Sequence, residues 1–471
     1  MKSLKIYTLS CGLLMMAIFT ACEISDSNID PDRTNRADIN NLLPGAQMNL
    51  AFGIGGDISQ FNSIFMQQVA GVDRVHGQIE RYNLSRGNAG RAWNDNFYPG
   101  AMKDFDTIIR EAEDSPYYTG ISKILMANAL GTLTSNWGDI PYSESFQGVS
   151  EPNPGYDSSE EIYQEIQDLL TDAISDLQQA ESVLRPGNDD LVYGGDTDGW
   201  IMTANVLKAR YLNHQSKVDP NGSANDVLDL LENEMVFQSN DDDAFIAFPD
   251  QIDEGNPWFR YKQSTFGDDT RMSATLVDML VATDDPRISA YVAEDGDGEY
   301  TGATPGSQNS GVSDLGPLYG EPEGRFNFIT YAEMQFLKAE AHWRLDEFQQ
   351  AAQAYNEGVE ASVIRVTGDE NPDFLQAYAN AAAGDMQGQE GLEQIMTQKY
   401  IALFLEPEIF SDWRRTGYPE LTVPENAQFD EIVRRWPYPQ SELNTNEQNL
   451  RSAESNQGGA SMIDRIWWDS N

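Results

Sequence analysis

The chain has 471 residues, with 30 basic and 76 acidic side chains and a formal net charge of -46 at neutral pH. That charge excludes nucleic acids as the main ligand class, because phosphate binding needs a basic surface. It also repels anionic polymers at long range, although a local basic pocket could still hold one, so neutral ligands are favoured. The only cysteines are Cys11 and Cys22, and a chain of this length can bury a large core without disulfides.

The N-terminus predicts an exported lipoprotein. Residues 1–5 are basic, residues 6–19 are mostly apolar, and Thr20 and Ala21 come directly before Cys22. A charged start, a short apolar run and a small residue before a cut site are typical of a signal peptide, and the run is too short to span a bilayer. We predict cleavage before Cys22 and its lipidation, with several acyl chains giving firm anchoring. An ordinary secretory signal is the alternative.

The rest of the chain is predicted to be a tether followed by one folded unit. After the leader at residues 1–21, residues 22–36 are polar and acidic and lack an apolar period, which predicts a flexible tether. No linker divides the remainder, so we predict a single domain over residues 37–471.

Helical period dominates this domain and predicts a mainly all-α fold. Apolar residues recur at helical spacing in seven stretches, which are residues 121–134, 159–183, 200–214, 227–235, 328–345, 348–366 and 392–410. Strand signals are short, as at residues 244–248. Two long segments, 240–267 and 294–325, are rich in Gly, Pro, Asp, Asn and Ser, and loops of that length in a compact domain are usually functional.

One helix pair carries a weak repeat signature. Ala339, Ala351, Tyr355 and Gly358 match the small and aromatic positions at which two tetratricopeptide-type helices touch. Small residues let the backbones approach, and the aromatic ring fills the groove between them.

Several motifs together resemble one known family. They are the segments 93–109 (WNDNFYPGAMKDFDTII), 127–142 (ending in WGDIPY), 200–212, 331–341 (YAEMQFLKAEA), 398–418 (QKYIALFLEPEIFSDWRRTGY) and 434–449. In this order, behind a lipoprotein leader, they resemble the SusD/RagB nutrient-binding outer-membrane lipoproteins, in their SusD-like branch. The resemblance covers nearly the whole mature chain.

The resemblance implies a SusD-like fold with four tetratricopeptide-like helix pairs and an irregular, loop-rich ligand-binding face. It implies a non-enzymatic protein, anchored to the outer membrane through Cys22 and facing the cell exterior. Such a protein binds an oligosaccharide or polysaccharide and delivers it to a TonB-dependent SusC-like barrel. Capture of a peptide, as by some members of this family, stays open.

Sugar binding needs aromatic planes for stacking and polar side chains for the hydroxyl rim. Trp258 and Tyr261 lie in the irregular segment 250–267 beside Asn, Arg, Lys and Gln, so we predict that they form an exposed platform. Trp93 follows a polar, glycine-broken segment, and Tyr319 lies in the long loop that also holds Tyr300, Gln308 and Asn309. Each aromatic residue has packing as its alternative interpretation.

A second candidate segment comes early in the chain. Residues 73–83 bring together polar and aromatic side chains, and the resemblance implies that ligand contacts often come from this region. The predicted contacts there are Asp73, His76, Arg81, Tyr82 and Asn83. A solvated turn is the alternative.

The sequence favours binding over catalysis. It contains no H-E-x-x-H, P-loop or G-x-S-x-G motif, and its three histidines lack metal-ligand spacing. The acidic run at 295–299 lacks the glycine and glutamate of an EF-hand, so we predict no cofactor, with adventitious calcium left open. A surface glycosidase remains an alternative. So does a scaffold that binds only protein, which a buried Trp258 would favour.

Overall fold

The structure is a computed structural model that describes residues 38–470. The predicted leader, the lipidation site Cys22 and the tether lie outside the described residues. Helix accounts for 59% and strand for 4%, which confirms the mainly all-α prediction. Within residues 38–470, none of the helices combines the length and the apolar character needed to cross a bilayer.

The first part of the fold wraps around one central helix. The elements are α1 (Ile39–Gly53), α2 (Ser59–Phe65), β1 (Val69–Gly71), α3 (Arg74–Glu80), α4 (Arg86–Ala89), α5 (Lys103–Glu111) and α6 (Pro116–Trp137), with π-helical turns at Ile54–Ile58 and Ala92–Met102. Helix α6 is buried along most of its length because small and apolar residues occupy every face. The helix predicted over 121–134 is therefore a longer one.

The middle part contains a second helix pair and the irregular segments. Its elements are α7 (Ser159–Leu177), α8 (Thr197–His214), α9 (Pro220–Asn233), β2 (Ala244–Ile246), α10 (Pro257–Lys262), β3 (Thr270–Met272), α11 (Ala274–Ala282), α12 (Ile288–Tyr291), α13 (Pro317–Gly320) and β4 (Phe326–Ile329). Ser158 and Glu161 form a capping box at the start of α7. The prediction that this helix continues to residue 183 is wrong, because the residues after Leu177 are mostly exposed and lack an apolar face.

The last part contains the predicted repeat. Its elements are α14 (Tyr331–Arg344), α15 (Phe348–Thr367), α16 (Pro372–Tyr378), α17 (Gly388–Ala402), α18 (Glu408–Thr416), α19 (Gln440–Thr445) and α20 (Glu447–Asn456). The single helix predicted over 392–410 is wrong, because the backbone turns left-handed at Leu405, with φ 62°, before Pro407. Short 3-10 turns lie at Gly148–Ser150, Gln215–Lys217, Asn240–Asp242, Ile252–Glu254, Gly267–Asp269 and Trp467–Asp469.

Helices that follow one another in the chain pack as pairs. Among the described residues, extensive contacts join α5 with α6, α6 with α7, α7 with α8, α8 with α9, and α14 with α15. At α14 and α15 the approach is close, since a Cβ on Gly358 would lie 3.1 Å from the ring of Phe336. The ring of Tyr355 lies 6.4 Å from the same ring. These are the contacts that the repeat signature predicts.

Two short antiparallel ribbons connect distant parts of the chain. Strand β1 pairs with β3, with Val69 opposite Met272 and Gly71 opposite Thr270. Strand β2, inside the predicted strand 244–248, pairs with β4. The first ribbon places the early polar segment 73–83 directly beside the loop that precedes β3.

Candidate ligand-binding surface

Helix α3 begins where the first ribbon ends. The Asp73 side chain accepts a hydrogen bond from the backbone N–H of Arg74 at 2.8 Å and caps the helix. The backbone N–H of Val72 donates to the carbonyl oxygen of Asp269 at 2.7 Å. The first turn of α3 is thereby fixed against the residues that precede β3.

A buried carboxylate connects α3 to that loop. Asp269 is fully buried. Its Oδ1 accepts a hydrogen bond from Arg74 Nε at 2.6 Å, and its Oδ2 lies 3.4 Å from His76 Nδ1. Burial lowers the pKa of His76 and outweighs the opposing effect of Asp269, which favours the neutral imidazole. The Arg74 side chain is thus held in one direction, across the loop.

Arg74 covers an exposed aromatic ring. Its guanidinium carbon lies 5.3 Å from the ring centroid of Phe266, and its Nη2 donates to the carbonyl oxygen of Thr265 at 2.8 Å. Phe266 is 48% exposed, and it is the most exposed Phe, Tyr or Trp of residues 38–470. The hydroxyls of Ser264 and Tyr261 bond to its backbone N–H and carbonyl, at 3.1 and 3.0 Å. The ring therefore stands on a fixed turn.

The loop at residues 304–309 forms the third side. Arg81 Nη2 donates to the carbonyl oxygen of Gly306 at 3.0 Å. The Gln308 side chain lies against the backbone of Gly77, where an added Cβ would stand only 2.6 Å from Gln308 Nε2. A larger residue at position 77 would push the end of the Gln308 side chain away from α3.

We call the resulting patch the Phe266 surface. Its members come from α3, from the loop before β3 and from the loop at 304–309, and they are Asp73, Arg74, Gln78, Arg81, Asn83, Phe266, Gln308 and Asn309. It combines one aromatic plane with hydrogen-bond donors and acceptors of several geometries. Such a set can stack on an apolar ligand face and bond to hydroxyl or amide groups around it.

The structure divides the residues predicted in the early segment. Asp73, Arg81 and Asn83 belong to the Phe266 surface, whereas His76 is buried beneath it. Tyr82 is only 1% exposed, and its ring lies 6.1 Å from that of Phe65. The prediction of a ligand-facing Tyr82 is wrong, because the left-handed backbone at this residue, with φ 65°, accompanies a side chain that packs inward.

The prediction that Trp258 forms an exposed platform is also wrong. The side chain is 3% exposed, and its indole Nε1–H donates to Ser59 Oγ at 2.8 Å. Asn256 caps α10 by accepting the backbone N–H groups of Trp258 and Phe259, both at 3.0 Å, and this cap turns the tryptophan toward the core. Tyr261, one turn later, is half-buried, and its ring lies 5.0 Å from that of His76.

Trp93 and Tyr319 also pack inside the protein. Trp93 is 3% exposed, and its ring lies 4.7 Å from that of Tyr98 and 5.3 Å from that of Trp137. It forms the base of a separate cleft of about 470 Å³ that Phe146 also lines. Tyr319 is 9% exposed and lies with Trp258 on a small inner cavity. The packing interpretation holds for both residues.

Sequence reasoning missed Phe266, and it included Arg74 in the candidate segment 73–83 without predicting it as a ligand contact. The signal for Phe266 lay in its neighbours, since Ser264 and Gly267 flank it in a turn that ends a short helix, and a turn keeps its side chains at the surface. Arg74 follows a cap residue, Asp73, and so belongs to the first turn of a helix that starts at the edge of a sheet. Neither pattern alone indicates that the two side chains meet.

The described residues offer no assembled metal site. In the part of the chain covering 38–470, no three His, Cys, Asp or Glu side chains converge to hold a metal ion. In the acidic run, Asp295 Oδ1 accepts the backbone N–H groups of Asp297 and Glu299 at 2.9 and 3.1 Å, and Oδ2 accepts the hydroxyl of Thr301 at 2.7 Å. The hydrogen bond from Thr301 is the main reason that the pKa of Asp295 is lowered. The Asp295 carboxylate therefore stabilises the turn at residues 295–301 through these hydrogen bonds.

Comparisons with known proteins agree on one family. The SusD-like family model described as "Starch-binding associating with outer membrane" matches residues 31–439. A solved chitin-binding protein is 24% identical, with a TM-score of 0.79 over 92% of this chain and 100% of that chain. No curated protein is significantly similar in sequence.

Two further solved structures show the same fold. A SusD/RagB family protein from Bacteroides thetaiotaomicron is 23% identical, with a TM-score of 0.78 over 93% of this chain and 100% of that chain. A chitin-binding SusD homolog from Flavobacterium johnsoniae is 24% identical, with a TM-score of 0.76 over 91% of this chain and 99% of that chain. The chain therefore belongs to the SusD-like family, whose members are outer-membrane-associated binding proteins.

Proposed function

We propose that this protein binds a neutral oligosaccharide at the Phe266 surface and delivers it to a TonB-dependent SusC-like barrel. The observation that carries the proposal is the position of Phe266, an exposed ring that Arg74 covers from one side and that stands on a turn fixed by Tyr261 and Ser264. A pyranose ring has a flat face of C–H groups and a rim of hydroxyls, and this surface matches both.

The net charge supports a neutral ligand. At -46 the chain repels uronate-rich and sulfated polymers at long range. Arg74 does not reverse this, because it already pairs with Asp269. Two structural neighbours are described as chitin-binding, which supports chito-oligosaccharides as the first ligands to test.

Family membership supports the remaining parts of the proposal. The family description places its members in association with the outer membrane. Anchoring through Cys22, exposure to the cell exterior and transfer to a barrel partner extend that description to this chain. We further propose that the protein binds its ligand without cleaving it.

Isothermal titration calorimetry with chito-oligosaccharides, malto-oligosaccharides and a mixed-sequence peptide tests the proposal. Phe266→Ala removes the only strongly exposed ring of residues 38–470 and should weaken glycan binding about two- to tenfold, since an aromatic contact contributes about 0.5–1.5 kcal/mol. Phe146→Ala is the matched control, because that half-buried ring lines the separate cleft.

Three results would count against the proposal. Equal affinity of Phe266→Ala and wild type would show that the ligand binds elsewhere, and a loss confined to Phe146→Ala would place it in the other cleft. Binding of the peptide alone would favour peptide capture. New reducing ends after incubation with a glycan would contradict binding without cleavage.

A further inference from the structure

A polar cavity lies inside the protein, where the helical bundle meets the second ribbon. Its lining includes Asn128 of α6, Arg210 of α8, Asn327 of β4, and Glu406 and Glu408 at the start of α18. Asn128, Asn327 and Glu406 are 2%, 6% and 8% exposed. The cavity shares no residue with the Phe266 surface and has so far no role in the protein.

Two asparagines of the lining each have one unpaired polar atom. Asn128 Oδ1 accepts the hydroxyl of Tyr211 at 2.9 Å, whereas its Nδ2 has no partner among residues 38–470. Asn327 Nδ2 donates to Glu406 Oε1 at 3.0 Å, whereas its Oδ1 has no partner among the same residues. A donor and an acceptor, both buried and both unpaired, therefore border one space.

Unpaired atoms of this kind indicate a ligand. A buried polar atom without a hydrogen bond costs free energy, and native proteins satisfy nearly all such atoms. Exchanging the oxygen and the nitrogen of either amide would leave one atom unpaired at the same place, so reorienting Asn128 or Asn327 does not remove the cost. A molecule that both accepts and donates hydrogen bonds would satisfy the two together.

The size of the cavity excludes a sugar. The space open to the centre of a water molecule is about 40 Å³. One buried water molecule needs about 10–15 Å³ of such space, so about three water molecules fit. A whole monosaccharide does not, and the ligand of the Phe266 surface therefore cannot bind here.

The charges around the cavity disfavour an ion. Arg210 on the lining and Arg365, which lies 3.6 Å from Glu406, both disfavour a cation. Glu408, whose Oε1 lies 2.6 Å from His214 Nε2, disfavours an anion. The lining therefore selects a small neutral molecule that donates and accepts hydrogen bonds, and water meets each of these requirements.

A smaller cavity continues from the first one toward Trp258 and Tyr319. The residues common to both linings are Phe326, Asn327, Glu406 and Pro407. The space open to the centre of a water molecule is about 20 Å³ there. About one further water molecule fits, so the Asn327 side chain borders water-sized space in both directions.

We propose that the two cavities bind a cluster of water molecules, in which one molecule accepts a hydrogen bond from Asn128 Nδ2 and another donates to Asn327 Oδ1. The cluster joins α6 to β4 and hydrates the buried carboxyl group of Glu406. The site is independent of the proposed function, because none of its residues belongs to the Phe266 surface.

X-ray radiolysis in frozen solution tests the proposal. Bound water yields hydroxyl radicals that oxidise the side chains beside it, radicals from bulk ice do not diffuse into the core, and mass spectrometry locates the products. Two residue pairs of equal burial provide the comparison, with the cavity residue first: Phe328 and Phe61, both 4% exposed, and Tyr211 and Tyr118, both 2% exposed. Phe328 and Tyr211 should be oxidised at least about fivefold faster than Phe61 and Tyr118. Equal rates within both pairs would overturn the proposal.

A variant then tests the predicted hydrogen bond. Asn128→Leu replaces the unpaired donor with an apolar side chain of similar size, so oxidation of Phe328 should fall to the rate of Phe61. Asn225→Leu, at an exposed position of α9, is the matched control and should keep the wild-type rates. Oxidation of Phe328 that is unchanged in Asn128→Leu would contradict the site. The comparison within the wild type needs no variant, so it decides the proposal even if Asn128→Leu does not fold.

Discussion

Two buried glutamates show how the helical bundle differs from the region of the Phe266 surface. Glu340, in α14, accepts hydrogen bonds from Arg415 at 2.5 and 2.9 Å and from Arg344 at 2.6 Å. Burial alone would raise its pKa, but Arg415 and Arg344 hold that pKa well below the usual range. Glu80, the last residue of α3, is equally buried and has an oxygen without a partner, and its pKa is raised to about 8.

Glu340 and Glu80 differ in how their ionisation responds to pH. In the bundle the carboxylate is ionised at every physiological pH and joins two helices, so it fixes their relative position. Glu80 has no matched guanidinium pair of this kind, and burial raises its pKa. A buried carboxylate with matched guanidinium partners is structural, whereas one without them can respond to its surroundings.

The largest expected effect comes from breaking the bundle pair. Arg415→Met leaves Glu340 buried with one cation fewer and should lower the free energy of unfolding by about 3–5 kcal/mol in urea denaturation. Arg451→Ala is the control, because Arg451 is half exposed and Arg86 still pairs with its partner Glu454, so the loss should stay within about 1 kcal/mol. Equal losses of unfolding free energy in Arg415→Met and Arg451→Ala would contradict the distinction between buried and exposed ion pairs.

Glu406 tests whether a buried carboxyl group beside a single arginine behaves like Glu340 or like Glu80. It is buried beside Asn327 and lies 3.6 Å from Arg365, and burial raises its pKa to about 7, against the lowering effect of Arg365. Between its ordinary pKa of 4.5 and about 7 the folded protein holds a proton that the unfolded chain lacks. Its stabilising contribution is therefore complete below pH 4.5 and is lost as the pH rises to 7.

The measurement is the free energy of unfolding at several pH values. Between pH 5 and 7 the wild type should lose about 1.4 kcal/mol per pH unit more than Glu406→Gln, which has no proton to lose. Glu447→Gln, on the exposed side of α20, should keep the wild-type slope. Parallel slopes for wild type and Glu406→Gln would place Glu406 with the permanently charged group.

Close helix packing gives the next effect. A Cβ on Gly131 in α6 would lie 2.2 Å from the Tyr211 ring of α8, so Gly131→Ala should lower the melting temperature and cost about 1–3 kcal/mol. Gly45→Ala, on an exposed position of α1 with no atom within 4 Å, should instead stabilise the protein by about 0.5–1 kcal/mol. An unchanged melting temperature for Gly131→Ala would mean that α6 and α8 can move apart to make room for the added methyl group.

The smallest effect on stability should come from the Phe266 surface. Phe266 is half exposed, so Phe266→Ala should change the free energy of unfolding by no more than about 0.5 kcal/mol. Trp258→Ala is the contrast, because this buried ring should cost about 3–5 kcal/mol. A large loss for Phe266→Ala would show that the ring supports the fold, and the comparison of regions would then fail at this residue.

Sequence patterns predicted the helical bundle better than the Phe266 surface. The spacing of apolar residues predicts helices such as α7 and α15. The small and aromatic residues Ala339, Ala351, Tyr355 and Gly358 predict the close contact between α14 and α15. The burial of Trp258 does not follow from spacing, since it depends on Ser59, a partner distant in the chain. The meeting of Arg74 with Phe266 likewise depends on the pairing of β1 with β3.

The pairing of β1 with β3 determines when the Phe266 surface can form during synthesis of the chain. Strand β1 ends at Gly71 and strand β3 begins at Thr270, so no short fragment contains both Arg74 and Phe266. A peptide covering either side alone has no reason to present the surface, and a nascent chain stopped before β3 would lack it. The Phe266 surface therefore forms late in synthesis, and its formation reports whether the whole chain has reached its native topology.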